Sequence, residues 1–303
     1  MATTIQLPWL IQRRLESAAA GLFRSETTQR IDFTQPPGEA ALAAADSVSW
    51  RVFKNPVSLF IGGVAAVILE LAEPRIRAAI WEHSSYRRDP LPRLRRTGLA
   101  AMITVYGART MAEPMITKIV RMHSKVTGTT PGGIPYSAAD PELITWVHAT
   151  AAFGFVHAYD RFVERLSVGD IDRFFLEGVP AARLYGSPSA PHSRATAQDL
   201  FDDTIAALDP SPAILSFLCL MGDTPAFPLP LLWLQRLLVR AAVEVVPESI
   251  RRRLQISADL ALRPRERWAV ACAARLADKI LLMESPAVQA CRRLGLPANH
   301  LYR

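Results

Sequence analysis

The sequence predicts an all-α chain, folded as a single globular multi-helix domain. Three observations predict it. Apolar residues recur three and four apart over long stretches, the period of a helix that buries one face. Proline repeatedly follows a short polar residue, as in Asn55-Pro56, Asp89-Pro90 and Asp140-Pro141, the pattern of an N-cap before a first helical turn. Alternating β-branched runs, the mark of strands, are scarce, whereas Ala, Leu and Arg dominate.

The elements follow in order. Ile5 to Phe23 reads as a helix with Leu7, Leu10, Ile11, Leu15, Ala18 and Leu22 on one face, and Arg24 to Gly38 as a polar linker closed by Pro36-Pro37-Gly38. Residues 1–40 are therefore expected to form an N-terminal helix and linker, and residues 41–303 the main domain. After a short alanine-rich piece, Asn55-Pro56 opens a helix through Glu70, and Glu73-Pro74 opens another that ends near His83. Asp89-Pro90 starts a helix running to about Gly107, and Met111 to Val126 forms the next, stopped by Gly128 and the loop Thr129 to Gly133. The helix from Asp140-Pro141 is apolar nearly all round through Ala158, so it is expected to be buried. Ser167 to Gly178 reads as a short helix, Tyr185 to Arg194 as an exposed loop, and Thr196 to Leu208 as amphipathic. Pro225 to Pro230 joins two buried helices. Pro264 to Leu282 is a strong helix with Trp268, Cys272, Arg275 and Leu276 at its spacing, and Leu294 to Pro297 ends the fold.

Composition bounds the function. With 303 residues, 50% of them hydrophobic, and a mean hydropathy of +0.13, the chain buries a sizeable core. The net charge of +7 comes with no nucleic-acid motif and no aromatic interleaving, so no nucleic-acid partner is expected. The arginines at 251–253, 263, 265 and 267 read as solvated surface. Three scattered cysteines, each in an apolar run, read as core in a reducing, cytoplasmic protein and exclude a disulfide framework. The start of the chain has no signal-peptide pattern. Val57 to Ala72 is too short to span a bilayer and Pro212 to Val246 is interrupted by charges and prolines, so no transmembrane span is expected; a peripheral membrane contact stays open. Dinucleotide, Walker, nucleophile-elbow and His-Glu-x-x-His motifs are all missing, and no histidine has a glutamate three residues before it, as a di-iron site would need.

The densest stretch runs from Glu82 to Gly128. On the helix after Asp89-Pro90, Arg93, Arg96 and Thr97 share a face, which Ala100, Ala101 and Thr104 continue with small side chains. That face leaves room for something flat, anionic at one edge and apolar elsewhere. On the following helix His123 points with Ile116, Ile119 and Val120.

In order, the chain carries His83-Ser84, Asp89-Pro90, Arg93-Leu94-Arg95-Arg96-Thr97, Tyr106-Gly107, His123-Ser124-Lys125-Val126-Thr127-Gly128, Tyr136, Asp140-Pro141-Glu142-Leu143 and Trp146-Val147-His148. Over roughly Arg51 to Arg161 this series resembles the MpaB-type and rubber oxygenase (latex-clearing protein) catalytic domain family. The resemblance implies an all-helical domain over residues 41–303 with a buried haem pocket, haem b as cofactor, dioxygen as co-substrate and an apolar small-molecule substrate. It implies His123 as the iron ligand, and Arg93 and Thr97 in the pocket. Some latex-clearing proteins place an iron-binding lysine before the threonine. Here Arg96 stands there, and a guanidinium has no lone pair for a metal, so the rubber substrate is not carried over.

Each candidate has a plainer alternative. His123 is a haem ligand or a core histidine. Arg93 and Arg96 pair haem propionates, or they pair Glu70, Glu73 or Glu82. Thr97 bonds a distal ligand or its own helix. His148 lines the pocket, orients another group or bonds a carbonyl, and His83 contacts the cofactor's distal side or caps its helix. The whole chain is then a haem-dependent oxygenase-like oxidoreductase, or a non-catalytic helical protein that binds an apolar ligand or a partner.

Overall fold

The structure, a computed structural model, describes residues 31–83, 90–227 and 229–302. The expected helix Ile5 to Phe23 and the cap Asp89 lie outside the described residues. Thirteen α-helices occur among them: α1 (Val48–Phe53), α2 (Pro56–Ala72), α3 (Pro74–His83), α4 (Pro90–Tyr106), α5 (Arg109–His123), α6 (Pro141–Phe162), α7 (Val168–Tyr185), α8 (Arg194–Thr204), α9 (Pro212–Asp223), α10 (Leu232–Val245), α11 (Glu248–Arg253), α12 (Pro264–Lys279) and α13 (Pro286–Arg293). One antiparallel hairpin, β1 (Thr127–Thr129) with β2 (Pro135–Ser137), interrupts them. The all-α expectation holds.

The capping chemistry explains the starts. The Asn55 side chain accepts from the amides of Val57 and Ser58 at 3.1 and 3.0 Å, and Asp140 accepts from Glu142 at 2.9 Å, each just before a proline that needs no hydrogen bond. Ser167 and Ser193 open α7 and α8 with reciprocal capping boxes.

Helices α2 and α6 form the centre. They cross where Gly62 meets Gly154, close enough that a Cβ on Gly62 would lie 2.8 Å from the Gly154 carbonyl oxygen. The indole of Trp146 donates to the Leu69 carbonyl at 3.2 Å further along. Helices α9, α10 and α12 pack on α2, the last two also on α6, while α1 packs on both and α7 on α6. Trp50 of α1 is fully buried; its indole donates to Val105 at 3.1 Å, and the Tyr106 hydroxyl returns a bond to the Trp50 carbonyl at 2.7 Å, tying α1 to α4. Near the C-terminus, Arg293 of α13 donates to the Phe33 and Glu39 carbonyls at 2.9 and 2.8 Å and clamps the entering chain.

Several expectations change. Helix α5 stops at His123, and the segment read as its last turn and loop forms the hairpin. Helix α7 runs past Gly178 to Tyr185. On α12 the buried residues are Val270 and Ala274, whereas Trp268 and Leu276 face outward: small side chains let this helix sit close to its neighbours, and an indole does not fit there. Cys291 is buried but Cys219 and Cys272 are exposed. Not all the arginines expected at the surface are merely solvated. Arg267 joins Arg161 on the buried carboxylate of Glu244, and Arg253 donates to the Leu208 carbonyl at 2.9 Å. The chain also continues beyond Pro297 to a buried Tyr302. No single helix among the described residues is long and apolar enough to cross a membrane.

Candidate active site

Four helices carry a stripe of half-buried residues at helical spacing. They are Leu59, Gly63, Val67 and Glu70 on α2; Arg93, Ala100, Ala101 and Thr104 on α4; Ile144, His148, Ala151 and Phe155 on α6; and Gly178, Ala181 and Tyr185 on α7. Contacts and charges link these stripes in a ring. The Thr104 and Tyr185 hydroxyls bond at 3.0 Å. The His148 ring lies against Gly178, and Gly63 faces the edge of Phe155. Glu70 of α2 and Arg93 of α4 feel each other's charge. Residues this central that are only half-buried border a shared recess instead of filling one another's space.

Helix α5 supplies the next wall. Ala112 and Ile116 are buried, and Ile119 and His123 continue the same face. His123 ends the helix, half-buried. Burial and the positive charge of Arg93 both hold its pKa below the ordinary histidine value, so the ring is neutral at neutral pH. The charge of Arg93 thus acts on both Glu70 and His123. Burial raises the Glu70 carboxyl to about 7, an effect that Arg93 partly offsets. Among the carboxylates expected as partners for Arg93, Glu70 feels its charge. A single acid inside the apolar run from Val57 to Ala72 was the sequence signal for it.

The hairpin fixes where α5 ends. The Val126 amide donates to the His123 carbonyl at 2.9 Å, and Ala138 donates to Val126 at 2.9 Å. Gly128 pairs with Tyr136, whose ring lies across it: a Cβ there would sit 2.6 Å from the phenol carbon Cζ. The Tyr136 hydroxyl donates to Glu82 of α3 at 2.7 Å, and burial followed by that bond raises its pKa to about 12. The glycine of the His-x-x-Val-x-Gly series is therefore the seat of a tyrosine that ties the end of α5 to α3. Periodicity in the sequence could not show this contact.

The remaining candidates are placed as follows. Arg96 and Thr97 are exposed, one turn along α4 from Arg93. His83 is exposed at the end of α3, edge-on to Tyr136 with ring centres 6.3 Å apart. His148 is held by burial at a pKa of about 4, and its Nε2 is buried with no hydrogen-bond partner. A shallow, open hollow lined by Thr110, Glu113, Pro114, Thr117, Lys118 and Arg121 lies on the outer face of α5, opposite His123.

The half-buried stripes of these helices thus bring two imidazoles, a guanidinium, a carboxyl and small side chains into one helical domain. The family of catalytic domains described as ER-bound oxygenase mpaB/B′/rubber oxygenase matches residues 50–278, and the chain belongs to it. The match extends well beyond the motif-bearing segment, to the end of α12. No curated protein and no solved structure gives a significant match.

Proposed function

We propose that this chain is a haem b-dependent oxygenase acting on an apolar small molecule, with His123 as the iron ligand. The observation that carries this reading is the pairing of His123 with Arg93 at the recess. A neutral imidazole has a lone pair to give iron, and the same environment that keeps it neutral supplies a cation. A haem needs both: a ligand for its metal and a partner for its propionates. Alanines 100 and 101 are small side chains on the α4 wall, which suits a flat macrocycle. The residues therefore fit the group.

When bound, the haem would supply an iron centre that binds and activates dioxygen. The chain's own side chains do the rest. His123 holds the metal. Arg93 meets propionate charge from within the recess and Arg96 from its exposed rim. Thr97, exposed beside Arg96, would offer a hydroxyl as a hydrogen-bond donor. His148 lines the recess from α6, and His83, beside Tyr136, borders the end of α5. Leu59, Val67, Ile144 and Phe155 give apolar walls that exclude water and favour a hydrophobic substrate.

The test is the colour of the protein purified with haem supplied. An intense Soret band is expected, lost in His123→Ala while circular dichroism stays helical. A folded, colourless wild type would instead support a non-catalytic protein that binds an apolar ligand or a partner.

A further inference from the structure

His148 lies midway along α6 with Ile144, Ala151 and Phe155 on its stripe. Its ring packs against Gly178: a Cβ there would stand 3.3 Å from Nε2 and 3.4 Å from Cε1, so the ring would have to give by a few tenths of an ångström. Nε2 is buried under that glycine without a hydrogen-bond partner. Nδ1, on the other side of Cε1, makes no hydrogen bond among the described residues and is not itself a buried orphan as Nε2 is, so it is the ring nitrogen that can be reached.

A neutral imidazole has one N–H and one bare nitrogen. A proton on Nε2 would be a buried donor with nothing to accept it, and orphaned N–H groups are rarer in folded proteins than orphaned acceptors. The proton therefore belongs on Nδ1. Burial keeps the ring from taking a second one near neutral pH. The other polar groups of the recess have tasks of their own in this reading: Arg93 and His123 face the cofactor, Glu70 meets the charge of Arg93, and the Tyr185 and Thr104 hydroxyls bond each other at 3.0 Å.

We propose that His148 is a specificity-determining residue whose Nδ1–H donates one hydrogen bond to the substrate. The substrate is then an apolar chain bearing an oxygen acceptor, such as a carbonyl, and not a bare hydrocarbon. The proposal deepens the oxygenase reading and rests on it only for what the recess is for.

Two measurements test it. The first uses protein labelled with nitrogen-15 histidine, haem-free or in the diamagnetic ferrous carbon monoxide form, and reads the His148 nitrogens by long-range proton–nitrogen correlation. The bare-nitrogen shift is expected on Nε2; finding it on Nδ1 overturns the proposal without any variant. The second compares binding of 2-octanone with that of 2-methyl-1-octene, which replaces the carbonyl oxygen by a methylene, through displacement of an apolar fluorophore. In His148→Phe the ketone should weaken about tenfold while the alkene holds or tightens. Equal change for both probes, or none, overturns it. The Soret band is recorded on the same samples: its loss in His148→Phe would make the residue a cofactor holder and also overturn the proposal, whereas a missing band in wild type counts only against the haem reading.

Discussion

Gly62 of α2 and Gly154 of α6 face each other across the crossing of the two central helices. A Cβ on Gly62 would lie 2.8 Å from both the Gly154 carbonyl oxygen and the Phe155 Cα; one on Gly154 would lie 3.2 Å from the Ala66 amide and closer still to the Gly62 carbonyl. Neither clash is with a flexible side-chain tip, so the helices must part. Gly154→Ala and Gly62→Ala are each expected to destabilise the fold by about 1–3 kcal/mol in urea unfolding. The neighbouring Gly63 is the control. A Cβ there meets only Phe155 Cε1 at 3.9 Å, so Gly63→Ala should be neutral or stabilising by up to about 1 kcal/mol through helix propensity.

The Tyr136 seat on Gly128 gives a second prediction. Tyr136→Phe removes the bond to Glu82 but leaves the packing, and is expected to cost about 1 kcal/mol. Gly128→Ala pushes the ring off its seat and is expected to cost more. In both variants, hydrogen exchange should rise at the Val126 and Ala138 amides, which tie the end of α5 to the hairpin. Unchanged exchange at these amides would show that the hairpin does not position His123.

How far the sequence was readable depends on the range of each interaction. Caps act within three residues, and the starts at Pro56, Pro74 and Pro141 are where the residue types put them. The stripe of Ile116, Ile119 and His123 is also local, and it points inward as its spacing implies. The hairpin was missed because strands of three residues carry no periodicity, and its glycine is explained only by a tyrosine eight residues on. Helix α7 continues through Gly178 and Pro180, and Gly178 packs under His148, thirty residues earlier in the chain, a contact that local spacing does not carry. On α12 the large apolar residues follow the spacing of a buried face, yet the core takes Val270 and Ala274, a choice set by how closely the neighbouring helices approach.

Glu70 makes stability depend on pH with a definite sign. Its carboxyl is raised from the ordinary 4.5 to about 7 in the folded chain. The unfolded chain therefore gives up the proton first, and folded-state stability from this group, full below about 4.5, is lost as pH rises to about 7. Glu70→Gln should match wild type near pH 4.5 and exceed it at pH 8, by on the order of 1–3 kcal/mol once partial exposure is discounted. Urea midpoints at the two pH values check this. A variant equally shifted at both would mean that packing, and not ionisation, sets the difference.

Arg93 couples Glu70 and His123 through its charge, and that coupling is measurable. Its charge lowers the pKa of Glu70 by favouring the carboxylate and lowers that of His123 by disfavouring the imidazolium. Replacing it with an uncharged side chain of similar length, Arg93→Met, should therefore move both values upward. For His123, a depressed folded pKa means stability that is present above the ordinary histidine value and lost as pH falls through the folded one. The variant should lose less of this contribution on acidification. Titration of the His123 ring proton by NMR in haem-free protein reads one partner, and the pH dependence of unfolding in Arg93→Met against Arg93→Met/Glu70→Gln reads the other. Movement of the two values in opposite directions, or of neither, would mean that the charge of Arg93 does not act on both groups, and would count against the cation proposed for the propionates.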